Sequence, residues 1–141
     1  MAINFDSYEK AIVSLEKALN LYNNNKNDEL ADMMQDSVIK RFEYTYEMSL
    51  KSIRRYLKTL DDYNPEEAKN ISFQNFIRIA IDKGLVKSNV ATWKDYRESR
   101  NITSHNYDAG KAGLIIKTAE LFSDEARYIL TALERNISND D

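Results

Sequence analysis

Residues 111–137 read KAGLIIKTAELFSDEARYILTALERNI, and the placing of their apolar side chains decides what kind of chain this is. Ala112, Ile115, Ala119, Phe122, Ala126, Ile129, Leu133 and Ile137 follow one another at steps of three and four. An α-helix turns once in about 3.6 residues, so these steps draw one apolar stripe along a helix. A half-buried strand would alternate at every second residue, and this stretch does not. Asp108 is placed to open the helix, and the tail SNDD is expected to fray.

The same spacing recurs at the other end of the chain. Phe5, Tyr8, Ile12, Leu15, Leu19 and Tyr22 step by three and four, which predicts a first helix ended by the polar run Asn23 to Asn27. A second helix is expected from about Asp28 to Leu60, with Leu30, Met34, Val38, Phe42, Ser49, Ile53 and Leu57 facing the core. Asp61 to Asn70, which contains Pro65, is the main break. Ser72 is a natural N-cap for a shorter helix that Gly84 closes, and Ser88 is a candidate cap for the helix carrying Trp93.

Three glycines and one proline in 141 residues leave few turns for an all-β chain. The expectation is therefore an all-α fold: an antiparallel four- to five-helix up-and-down bundle, with residues 1–141 forming a single domain. No cysteine is present, which excludes disulfides and thiolate metal sites and suits a reducing cytoplasm. Asp6, Glu9 and Lys10 interrupt the start, so no signal peptide is expected there. No apolar run approaches the roughly 20 residues that span a bilayer, so no membrane partner is expected.

Most catalytic chemistries lack their motifs. One histidine and no cysteine leave no His/Cys zinc site and no Cys-His dyad. GxxxxGK[ST], GxGxxG and GxSxG are all absent. Asp61-Asp62 and Asp140-Asp141 sit where helices end, and neither pair is taken as a metal site. No metal and no cofactor is expected.

Basic residues cluster twice despite a net charge of −3. Lys51, Arg54, Arg55 and Lys58 share one side of the second helix, and Lys94, Arg97 and Arg100 repeat every three residues later on. Either cluster alone reads as a solvated face. Together, with Arg54, Arg55, Lys94 and Arg97 as the candidate contacts, they suit the phosphates of RNA or a nucleotide. Tyr44, Tyr46, Tyr56, Tyr96 and Tyr107 lie among them as candidate base-stacking rings or as core residues.

The second cluster leads into RNITSHNY, residues 100–107, which holds the only histidine. On an unbroken helix Arg100 and His105 would be about 140° apart, so they converge more easily if the helix ends near Thr103-Ser104. Imidazole can move a proton near neutral pH and guanidinium can hold charge gathering on phosphoryl oxygens. Cleavage of RNA through its 2′-OH needs both a base and an acid. A two-fold homodimer would supply two copies of His105 to one groove. The alternative is a histidine that merely ends a helix.

WKDYRESRNITSHNY, residues 93–107, together with RFEYTYEMSLKSIRRYL, residues 41–57, resembles the HEPN superfamily, in particular its nucleotidyltransferase substrate-binding branch. The R-x4-H signature matches Arg100 and His105, and Tyr107 completes the R-x4-H-x-Y form. Phe42-Glu43 and FDSYEKAIVSLEKAL near the start also match. The resemblance implies a helical bundle that dimerises around the motif, with a minimal nucleotidyltransferase as partner. It implies either a metal-independent ribonuclease toxin or a noncatalytic subunit presenting a nucleotide or other substrate. By the same resemblance, His105 is the acid/base, Arg100 the phosphate stabiliser and Tyr107 the site a partner would adenylylate.

Overall fold

In the computed structural model, residues 3–103 and 109–139 are described. They form α1 (Asp6–Asn24), α2 (Ala31–Leu57), α3 (Pro65–Asn70), α4 (Phe73–Asp82), α5 (Val90–Thr103) and α6 (Ala109–Asn139), with no strand among them. The stripe read in residues 111–137 is the buried edge of α6: Ala112 through Leu133 in that series are sealed, and Ile137 is half-buried at the margin.

Cross-helix hydrogen bonds give the directions. Tyr8 meets Ser49, Ala11 meets Thr45 and Ser14 meets Arg41, so α1 and α2 run antiparallel. Glu47 meets Arg100 and Glu43 meets Thr103, which makes α5 antiparallel to α2. Tyr96 meets Glu125 and Ser99 meets Thr118, so α6 runs against α5. The four long helices thus alternate up and down. Both α2 and α6 touch each other and also touch α1 and α5, so this pair forms the spine of the bundle. Among the described residues no helix is long and apolar enough to cross a membrane.

The centre is aromatic. Phe122 packs nearly edge-on against Phe42, Trp93 and Tyr96, with ring centroids 5.6, 5.8 and 5.0 Å away. Edge-to-face contact sets a ring's positive rim against its neighbour's negative face, adding roughly 0.5–1.5 kcal/mol per pair beyond burial.

Local chemistry moves several expected boundaries. Helix α2 starts at Ala31 because Asp28 Oδ1 accepts the Leu30 N–H at 2.8 Å, a side-chain turn that competes with helix. Leu30, expected in the core, is therefore 51% exposed just before the helix. Inside the expected break lies α3, with Asn64 Oδ1 accepting the Glu66 and Glu67 N–H groups and Pro65 in its first turn. Ser72 caps α4 as expected, accepting the Asn75 N–H at 3.1 Å. Gly84 supplies the left-handed residue after it, at φ +73°. Asn89 rather than Ser88 caps α5, accepting the Thr92 N–H at 2.9 Å; Ser88 instead reaches the Tyr96 hydroxyl. Asp108, expected to open the last helix, lies outside the described residues.

Candidate functional site

The last turn of α5 sits against the middle of α2. Arg100 Nε donates to Glu47 Oε1 at 2.6 Å, and the Thr103 hydroxyl donates to Glu43 Oε2. Arg100 and Thr103 are three apart on one helix, and Glu43 and Glu47 four apart on the other. Antiparallel packing matches the two steps rung for rung. Arg100 also lies where the unsatisfied carbonyls of α5 concentrate negative charge, a favourable place for a cation. The motif arginine is thus held by a carboxylate of α2. Phe42 goes to the core while Glu43 is half-buried beside the motif, which accounts for that pair.

Three guanidiniums gather on this side. Arg54 lies 5.0 Å above the Phe76 ring and Arg97 lies 4.7 Å above Phe73. Phe73 and Phe76 are three residues apart on α4, so one short helix seats arginines from both α2 and α5. On the same helix as Arg54, the Tyr46 ring is buried and its phenol is pushed up to about 12. Burial is the main cause; Arg97 opposes it, Glu47 adds to it, and Arg100 and Arg54 oppose it. One phenol therefore feels Arg54, Arg97 and Arg100 together. Arg55, next in sequence to Arg54, turns instead to Phe5 at the start of α1, 5.7 Å away. Lys94 is exposed one turn earlier on α5.

His105 and Tyr107 lie outside the described residues. Of the candidate stacking rings, Tyr46, Tyr56 and Tyr96 are buried in the core and offer no face to a base; Tyr44 is exposed. Their helical spacing put them on the inner stripe. Asp62 pairs with Lys83 at 3.2 Å, and Asp140-Asp141 lies outside the described residues. Among the described residues no group of three or more metal-ligating side chains converges.

Glu47 and Thr103 were not singled out from sequence as parts of the site. The signal was present in the Glu43–Glu47 pair, two acids four residues apart amid a basic run. A cleft of about 620 Å³ also opens between the end of α2, α3 and α4. Arg54, Lys58, Leu60, Tyr63, Phe76 and Lys83 line it.

An alternating helical bundle that holds a motif arginine at the end of α5 defines a protein of the HEPN type. The chain belongs to the family described as nucleotidyltransferase substrate binding protein like, whose model matches residues 3–135. It is 31% identical to a probable ribonuclease HepT of Haemophilus influenzae over 138 residues, covering 94% of this chain and 93% of the relative. A solved structure from Haemophilus influenzae, described as the fold of a substrate-binding domain of a nucleotidyltransferase, superimposes with a TM-score of 0.81 at 30% identity. That match covers 93% of this chain and 99% of the other.

Proposed function

We propose that the chain is the HEPN partner of a minimal nucleotidyltransferase and acts as a metal-independent endoribonuclease, the toxin of a toxin–antitoxin pair in the cytoplasm. The observation that carries this reading is Arg100, held by Glu47 in the last turn of α5, five residues before the only histidine. The likeness to a probable ribonuclease over nearly the whole chain supports it. In the reaction, an RNA 2′-oxygen attacks the adjacent phosphorus while one His105 takes its proton. The bond to the 5′-oxygen breaks as a second His105 protonates that oxygen, leaving a 2′,3′-cyclic phosphate and a 5′-hydroxyl. Arg100 stabilises the charge on the non-bridging oxygens. Two copies of His105 require a homodimer. Arg54, Arg97 and Lys94 hold the flanking phosphates, and Tyr107 accepts adenylyl groups from the partner, which silences the enzyme.

The test is RNA cleavage by purified protein with EDTA present. His105→Ala should lower the rate about 10²–10⁴-fold, the usual worth of a positioned proton transfer. Arg100→Ala should act similarly, with both variants melting near the wild type. Unchanged cleavage in a folded His105→Ala protein overturns the enzymatic reading.

The second reading is a noncatalytic subunit that presents a nucleotide or other substrate. The family description and the substrate-binding description of the solved structure favour it, and the cleft beside Arg54 offers a place for such a ligand. In that case the wild type cleaves nothing, and Arg54→Ala weakens nucleotide binding where His105→Ala does not.

A further inference from the structure

The outer face of α6 carries apolar side chains that the other described residues leave exposed. Leu114 is 57% exposed, Leu121 58% and Tyr128 39%, and the three are spaced seven residues apart. Seven residues are nearly two full turns, so the three stand in one row within about 20° of each other per step. Single exposed leucines are ordinary on a protein surface, whereas three large side chains in one row make a continuous apolar strip. Lys117 and Asp124 stand between the three, both exposed. Among the described residues neither makes an ion pair.

We propose that this face is an interface with a second copy of the same chain, with the two α6 helices antiparallel about a two-fold axis at Leu121. The charges choose the partner and the direction. Leu114 and Tyr128 lie about 10.5 Å on either side of Leu121, so the two-fold sets each against the other copy's opposite member. Lys117 lies about 6 Å before Leu121 and Asp124 about 4.5 Å after it. At about 100° per residue both project to the same side of the row, by about 40° and 60°. The two-fold therefore brings each Lys117 to the partner copy's Asp124, giving two ion pairs along one side of the apolar row. A parallel pairing in register would put the two copies of each charge on opposite sides of the seam, where no lysine meets an aspartate. The surface is complementary to itself in one direction only.

This contact is separate from the dimer that would join two copies of His105. Helix α6 starts at Ala109, about 18 Å along its axis from Leu121, so this two-fold holds the two starts about 36 Å apart. With both contacts formed the protein is at least a tetramer, and the α6 contact stands whether or not the chain cleaves RNA.

A chain without cysteine makes the test direct. Under mild oxidation Leu121→Cys, at the axis, should form a disulfide-linked dimer in high yield. Leu114→Cys alone should not, because its two copies are about 21 Å apart, but mixed with Tyr128→Cys it should link across the pair. Asp124→Lys should weaken self-association roughly tenfold, and adding Lys117→Asp should restore it. All these positions are exposed, and circular dichroism confirms the fold of each variant. Equal linkage through Leu114→Cys and Leu121→Cys overturns the antiparallel arrangement. No linkage through Leu121→Cys in folded protein overturns the interface and leaves the face to a different protein.

Discussion

Glu47 shows how one carboxylate sets the behaviour of a neighbouring cation. Its Oε1 takes the Nε–H of Arg100 at 2.6 Å, which fixes the plane of the guanidinium and the direction of its remaining N–H groups. The pair is partly exposed, at 24% for the arginine side chain and 53% for the glutamate. Its net worth to stability is therefore small, within about 1 kcal/mol. On the proposed ribonuclease reading its worth to catalysis is larger, because misplacing a charge-stabilising group by about 1 Å can cost on the order of 10²-fold. Glu47→Ala is expected to lower ribonuclease activity by about that factor while shifting the melting temperature little. Glu47→Gln keeps an oxygen acceptor and should recover most of the rate. If both variants cleave like the wild type, Glu47 does not position Arg100 for the reaction.

Helix α6 carries a residue whose role no periodicity reveals. Glu125 is fully buried, and its carboxylate accepts the Lys87 backbone N–H at 2.7 Å and the Tyr96 hydroxyl at 3.3 Å. It pins the turn between α4 and α5, and through it the helix that ends in Arg100. Glu125→Ala strands a buried N–H, removes the hydroxyl's acceptor and opens a cavity; a loss of roughly 3 kcal/mol is expected. Hydrogen exchange at the Lys87 amide should quicken more than exchange in α1; uniform protection across both would remove Glu125 from this role. From sequence, Glu125 lies three residues after Phe122 and four before Ile129, at the stripe's own steps, but nothing local shows which groups it would meet there. Helices α1, α2 and α6 were legible because their apolar stripes run for about five turns or more, and Ser72 and Gly84 were legible because caps demand particular residues. Helix α3 was not, since six residues hold less than two turns and show only Asn64 and Pro65. Arg100 was singled out by its motif, but the seats of Arg54 and Arg97 on Phe76 and Phe73 depend on how α4 crosses the bundle, which local spacing does not encode.

Across the whole molecule, buried phenols tie the bundle together and make its stability depend on alkaline pH. Tyr8 donates to the Ala126 carbonyl and bonds Ser49, joining α1, α2 and α6. Tyr46 lies in the aromatic centre between α2, α5 and α6, and Tyr96 reaches Glu125. Burial pushes all three above the ordinary 10.0, to about 12 for Tyr46 and Tyr96 and further for Tyr8. Each group is neutral when protonated, so a raised folded pKa means that the unfolded chain gives up its proton first as pH rises. Their contribution is complete below pH 10 and is lost as pH climbs through 12. Over that window each phenol held protonated only in the folded state lowers stability by about 1.4 kcal/mol per pH unit. Three of them together give a slope of about 4 kcal/mol per unit, against a total that is usually 5–15 kcal/mol. Cooperative loss of helix is therefore expected between about pH 11 and 12, with the tyrosinate absorbance of the three phenols appearing in the same step. Tyr96→Phe removes one proton from the linkage and should flatten the slope by about a third. Tyrosinate absorbance that reaches its full amplitude while the helix signal is intact would show that the three phenols are not sealed by the bundle.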